Sequence, residues 1–104
     1  MDATDATFAA AVLESELPVV VDFWAPWCRP CKAVERVLED IAGEHPGAVK
    51  LVRVNVDEEL GVPSRYGVLS LPTVILFAGG EALETIVGPH SRRRYEAALA
   101  PYLV

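Results

Sequence analysis

Short apolar runs and amphipathic stretches take turns along this chain. Val19-Val20-Val21-Asp22-Phe23-Trp24 is almost continuously hydrophobic and reads as a strand buried on both faces, with one carboxylate in its middle. Ahead of it, Phe8, Val12 and Leu13 form the stripe of a helix that Thr4 or Asp5 can cap and that runs to about Glu14. Behind it, Val34, Val37, Leu38 and Ile41 recur at helical spacing. They predict a helix opening near Cys28 and breaking over residues 44–47, with Glu35, Arg36, Glu39 and Asp40 facing water. Pro30 fits its first turn, where N–H groups have no partner within the helix. Val52, Val54 and Val56 then alternate with Arg53 and Asn55, predicting a second strand over residues 49–56. Strand, helix and strand at these lengths imply a right-handed βαβ unit. Residues 58–66 predict a short irregular helix around Pro63, and Gly79-Gly80 joins two strands in a tight hairpin. A last helix, capped by Ser91, carries Tyr95, Leu99 and Tyr102, with Pro101 in its last turn. From the first strand onward the order β-α-β-α-β-β-α is that of an α/β sandwich around a mixed sheet.

Composition narrows the function classes. A chain of 104 residues, 52% hydrophobic, predicts one domain over residues 1–104 with a proper core. A net charge of −6 would repel phosphates, so no nucleic-acid partner is expected. No apolar run approaches the ~18 residues of a membrane span, so no membrane partner is expected either. The opening Met1-Asp2-Ala3-Thr4-Asp5 is acidic and has no secretory pattern, which predicts a cytoplasmic location. Two cysteines in a reducing compartment serve catalysis or a metal more often than structure. Zinc takes about four ligands; the further candidates, His45 and His90, sit on separate polar turn segments, so no metal is expected.

Both cysteines lie in Trp27-Cys28-Arg29-Pro30-Cys31, directly after the apolar strand. A strand that delivers a dithiol to the first turn of a helix suits redox chemistry. Helix-start amides and the macrodipole favour an anion there, so the first sulfur can ionise near neutral pH. The second is close enough to attack a mixed disulfide formed at the first, which is thiol–disulfide exchange. A buried structural thiol is the plain alternative. Asp22 is costly in an apolar strand, because desolvation disfavours its ionised form. It is either a proton-handling group or an edge carboxylate paired with Lys32 or Arg53. Trp24 is expected in the core.

The segment Asp22-Phe23-Trp24-Ala25-Pro26-Trp27-Cys28-x-Pro30-Cys31-Lys32 resembles the active site of the thioredoxin family. The likeness continues through Asn55-Val56-Asp57, Tyr66-Gly67-Val68, Leu71-Pro72-Thr73 and Gly79-Gly80-Glu81 to Gly88, over about residues 4 to 104. It implies a thioredoxin fold: a central mixed sheet flanked by helices. The family's first edge strand would be shortened or missing, since only residues 1–3 precede the first helix. It further implies a protein-disulfide reductase, a monomer, in which Cys28 is the nucleophile, more exposed than its partner, and Cys31 the resolving thiol. Asp22 would relay the proton of Cys31. The Leu71–Pro72 bond would be cis and face the dithiol, docking an extended strand of a disulfide-containing client protein with Trp27, Val68 and Gly88. An aromatic lid without function is the bland reading of Trp27. A flavin-containing, NADPH-dependent thioredoxin reductase would recharge the protein, so NADPH acts at one remove and no cofactor is bound.

Two departures stand out. Arg29 replaces the family's usual glycine and adds positive charge beside Cys28, tuning the site together with Pro30, Lys32 and Arg53. Arg53 matches a family lysine, and arginine cannot give up its proton. Arg92-Arg93-Arg94 is either a solvated face or a contact for an acidic partner. Two rival readings remain at this point. An oxidant or isomerase usually carries His at the position of Pro30. A binding module would keep the fold with incidental thiols.

Overall fold

The computed structural model describes residues 1–103. Its sheet has four strands in the order β2-β1-β3-β4: β1 (Val19–Trp24), β2 (Lys50–Asn55), β3 (Thr73–Ala78) and β4 (Glu81–Val87). β1 and β2 are parallel and joined by α1 (Arg29–Glu44); β3 runs antiparallel to both of its neighbours. The sheet is therefore mixed. β1 lies inside it, which explains why its sequence is apolar on both faces.

Alternation along β1 sends its side chains to two cores. Val19, Val21 and Phe23 pack with Phe8, Val12, Val52, Val54, Ile75 and Phe77 on one face. Val20 packs with Val34, Leu38, Ile41, Val74, Leu76, Ile86, Tyr95 and Leu99 on the other, under α1 and α3 (Arg92–Leu99). Period two puts Asp22 on this second face with Val20. The stripe foreseen for α1 is buried at Val34, Leu38 and Ile41, with Val37 only half-buried, and Cys31 extends it toward the helix start. Each fully buried aliphatic side chain contributes roughly 1.5–3 kcal/mol of transfer free energy, so α1 is held by this stripe rather than by capping. No side chain caps it.

The N-terminal segment is helical as expected but not regular. Thr4 Oγ1 accepts the Thr7 N–H at 3.2 Å, acting as the cap. The helix then widens to a π-helical segment, Ala9–Leu13, closed by Glu14 N–H to Ala9 O at 2.9 Å. Asp5 caps a different element: its carboxylate accepts the Gly61 and Val62 N–H groups at 2.9 and 2.8 Å, opening α2 (Gly61–Arg65). The first edge strand has shrunk to one bridge, Asp2 beside Arg53, flanked by Arg53 N–H to Met1 O and Ala3 N–H to Arg53 O, both 2.8 Å.

Gly79 and Gly80, at φ +60° and +81°, form a two-residue loop that only left-handed backbone allows. Ser91 precedes α3 but makes no side-chain cap; its carbonyl accepts the Arg94 N–H instead. Of the three arginines, Arg92 pairs with Glu44 and Glu96, and Arg94 with Glu84, which favours the solvated-face reading. No helix among the described residues is long and apolar enough to cross a membrane.

Candidate active site

β1 ends at Trp24, and a short turn, Cys28 N–H to Ala25 O at 3.1 Å, brings the chain onto α1. Cys28 occupies the position before the first helical residue, in extended backbone, and Pro30 lies in the first turn. Cys31 is one turn further in. The two are joined as a disulfide with Cα atoms 5.4 Å apart, within the range such bonds require. Cys28 is 4% exposed and Cys31 2%. The difference foreseen between them is therefore slight in the oxidised state, since Ala25, Trp24, Val56 and Leu71 pack around the pair.

Asp22 is fully buried, and neither carboxylate oxygen has a hydrogen-bond partner. Burial pushes its pKa up to about 7; Glu35 and Glu39 push the same way, and Arg53 opposes them. The edge-carboxylate alternative fails on topology and on partners. β1 is an interior strand, and Arg53, although directly across from Asp22 in register, is engaged elsewhere. Its guanidinium makes ion pairs with Glu35 and, at 3.5 Å, with Asp2, and lies 4.3 Å from the centre of the Trp24 ring.

Two sequence expectations need correcting here. Trp24 is half-buried beneath Arg53 rather than in the core, because the guanidinium forms its outer cover. Glu35 does not simply face water; it is half-buried against Arg53. Its signal was spacing, since Glu35 follows Cys31 by four residues and so shares its side of the helix.

Behind Cys31 a cavity of about 280 Å³ is walled by Trp24, Lys32, Glu35, Arg36, Glu39 and Arg53, among others. In front, Trp27, Val56, Val68, Leu69, Ser70 and Leu71 surround a hollow of about 160 Å³. Trp27 is 68% exposed, with its Nε1–H donated to Asp57 Oδ1 at 3.1 Å. Leu69 is 97% exposed. Asp57 enters the sequence likeness without a role of its own, and Leu69, a lone apolar residue, carries no signal there. The Leu71–Pro72 bond is cis. Pro72 is buried, and its carbonyl accepts the Gly88 N–H at 2.8 Å from a left-handed glycine at φ +85°. Arg29 and Lys32 are exposed on the first turn of α1. His90 is occupied with the Val87 carbonyl, Nε2 to O at 2.9 Å.

Comparison with known proteins agrees on one family. The family model described as thioredoxin matches residues 1–100. Thioredoxin 1 of Nostoc sp. is 44% identical over 100 residues, covering 96% of this chain and 94% of its own length. Thioredoxin 1 of Synechococcus elongatus is 52% identical over 85 residues, 82% of this chain and 79% of the relative. A chloroplastic M-type thioredoxin of Chlamydomonas reinhardtii is 46% identical over 99 residues, 95% of this chain and 71% of the relative.

Proposed function

Because the chain belongs to the thioredoxin family and is a thiol–disulfide oxidoreductase that acts on disulfide-containing proteins, we propose the following division of labour within its site. In the reduced protein the Cys28 thiolate attacks one sulfur of a client disulfide. A Cys28–client bond forms, and the other client sulfur leaves as a thiolate that takes up a proton. Cys31 then loses its proton to the Asp22 carboxylate and attacks the Cys28 sulfur. The Cys28–Cys31 disulfide forms, the second client sulfur leaves as a thiolate and takes up the proton that Asp22 received, and the client has gained two electrons and two protons. The observation that carries this reading is the disulfide at the start of α1 with a buried, unpartnered carboxylate on the same face of the sheet.

The remaining residues follow from position. Trp27, Val68, Leu71, Pro72 and Gly88 form the docking side, where a hollow and a cis bond offer apolar contact and backbone groups to an extended client strand. Arg29, Pro30, Lys32 and Arg53 tune the sulfurs through charge and first-turn geometry. The dithiol is the redox centre, without a bound cofactor, and a flavin-containing thioredoxin reductase returns electrons to it from NADPH. The protein works as a one-domain monomer in the cytoplasm, a compartment reducing enough to keep it charged. The test is insulin-disulfide reduction with NADPH and a thioredoxin reductase. Cys28→Ser should abolish it. Cys31→Ser should stop turnover while accumulating a mixed disulfide visible by intact mass. Activity surviving in Cys28→Ser would overturn the assignment.

A further inference from the structure

Strand register sets Arg53 beside Asp22, on the same face of two parallel neighbours. A guanidinium across from a buried carboxylate is a ready counter-ion, yet both Asp22 oxygens remain without a partner. The guanidinium is drawn outward instead, to Glu35 on α1 and Asp2 at the sheet edge, and it lies over Trp24. Glu35 and Arg53 both line the cavity that reaches Cys31.

We propose that Glu35 is a positioning residue for the resolving step: by holding the Arg53 guanidinium over Trp24 it withholds from Asp22 the cation that register places beside it, and so keeps that carboxyl able to take a proton from Cys31. The proposal rests on Asp22 being the proton acceptor. A carboxyl tied to a guanidinium would be a weaker base, ionised far below neutral pH and reluctant to accept the thiol proton. The groups facing Asp22 are few. From α1 come Glu35 and Glu39, with Lys32 and Arg36 on the same cavity wall. From β2 comes Arg53, and from α3 the Tyr95 phenol, itself pushed up by burial and, further, by Asp22. β3 contributes the apolar Val74. Among these, Glu35 pushes the Asp22 carboxyl up and Arg53 opposes it, so the two ends of the ion pair act on Asp22 in opposite directions.

The experiment is an NMR titration of the Asp22 carboxyl carbon in the oxidised full-length protein, paired with the pH profile of mixed-disulfide resolution. In Glu35→Gln the freed guanidinium, together with the loss of Glu35's own charge, should lower the titration midpoint by about one pH unit. Resolution near neutral pH should slow in step. Adding Arg53→Gln to that variant should restore most of the midpoint, which loss of the Glu35 charge alone would not allow. Arg53→Gln should move the midpoint the other way, which a general loosening of the fold would not do. An Asp22 midpoint unmoved in Glu35→Gln overturns the proposal and leaves the proton-acceptor reading standing. An undiminished resolving rate in Asp22→Asn overturns that reading, and the role given to Glu35 with it, whatever the titration shows.

Discussion

Behind the disulfide, Lys32, Glu35, Arg36, Glu39 and Arg53 bring five formal charges to one cavity wall, next to a carboxyl that has no partner. In front of it, Trp27, Val56, Val68, Leu69 and Leu71 make a rim almost devoid of charge, with two of its largest side chains open to solvent. On the proposed mechanism the first region would handle protons and the second would meet another polypeptide. Exposed large apolar groups cost solubility and are kept where they bind something, and a buried carboxylate costs stability and is kept where it reacts. Substitutions behind the disulfide should therefore change pH dependence, and substitutions in front should change affinity for clients.

The largest effect should come from Asp22. Its native pKa, about 7, stands above the unfolded value of 3.8, so the folded protein holds a proton that the unfolded chain has lost between those limits. Stability attributable to this group is fully present below pH 3.8 and gone above about pH 7. The whole loss is roughly 4 kcal/mol, taking about 1.4 kcal/mol for each pH unit. Denaturant unfolding from pH 4 to 9 should show that decline in the natural protein and a flatter profile in Asp22→Asn. Parallel profiles would mean that the carboxyl is not buried as described.

Smaller, and confined to the other side, is the effect of Trp27→Ala. The indole is exposed and tied by one hydrogen bond to Asp57, so its loss should change stability by less than about 0.5 kcal/mol. As a rim aromatic it should cost about 1–2 kcal/mol in client encounter, a five- to thirty-fold fall in kcat/KM carried by KM. A fall in kcat with KM unchanged would place Trp27 among the proton-handling groups and erase the division.

The smallest effect belongs to Arg29, exposed at the start of α1. On the proposed tuning role its exposed guanidinium should favour the Cys28 thiolate, with water and salt screening the effect to about 1 kcal/mol or less. Arg29→Gly should make the reduction potential more negative by about 20 mV at most, with the shift shrinking at high salt. Equilibration against glutathione at two ionic strengths reads it. A potential that is unchanged or less negative would assign Arg29 to partner contact alone.

How far the site could be read in the sequence follows from which residues signal locally. The dithiol, the strand before it and the carboxylate inside that strand announce themselves, since a charge within an apolar run has few explanations. β1, the hairpin and the stripe of α1 were legible for the same reason: each is set by periodicity within its own segment. Glu35 was not, because along α1 it is one acidic residue among Glu35, Glu39 and Asp40, and what distinguishes it is an arginine on another strand. Trp24 departs from its sequence expectation on the same account, its cover being a side chain from β2 rather than the core. Of the two caps the sequence allows for the first helix, Thr4 takes the role, while Asp5 finds its partners more than fifty residues away, across the fold at Gly61 and Val62.

The chain has two cysteines, and both are spent in one bond. The number of free thiols on the molecule therefore takes only the values that its redox cycle passes through: none when oxidised, one while a client is attached, two when reduced. A gel-shift reagent that adds mass at each thiol reports the whole working population, with no silent sulfhydryl to subtract. The same economy sets a limit on self-association. Two copies can be joined covalently only through the sulfurs that do the work, so any disulfide-linked dimer is by construction an inactive one.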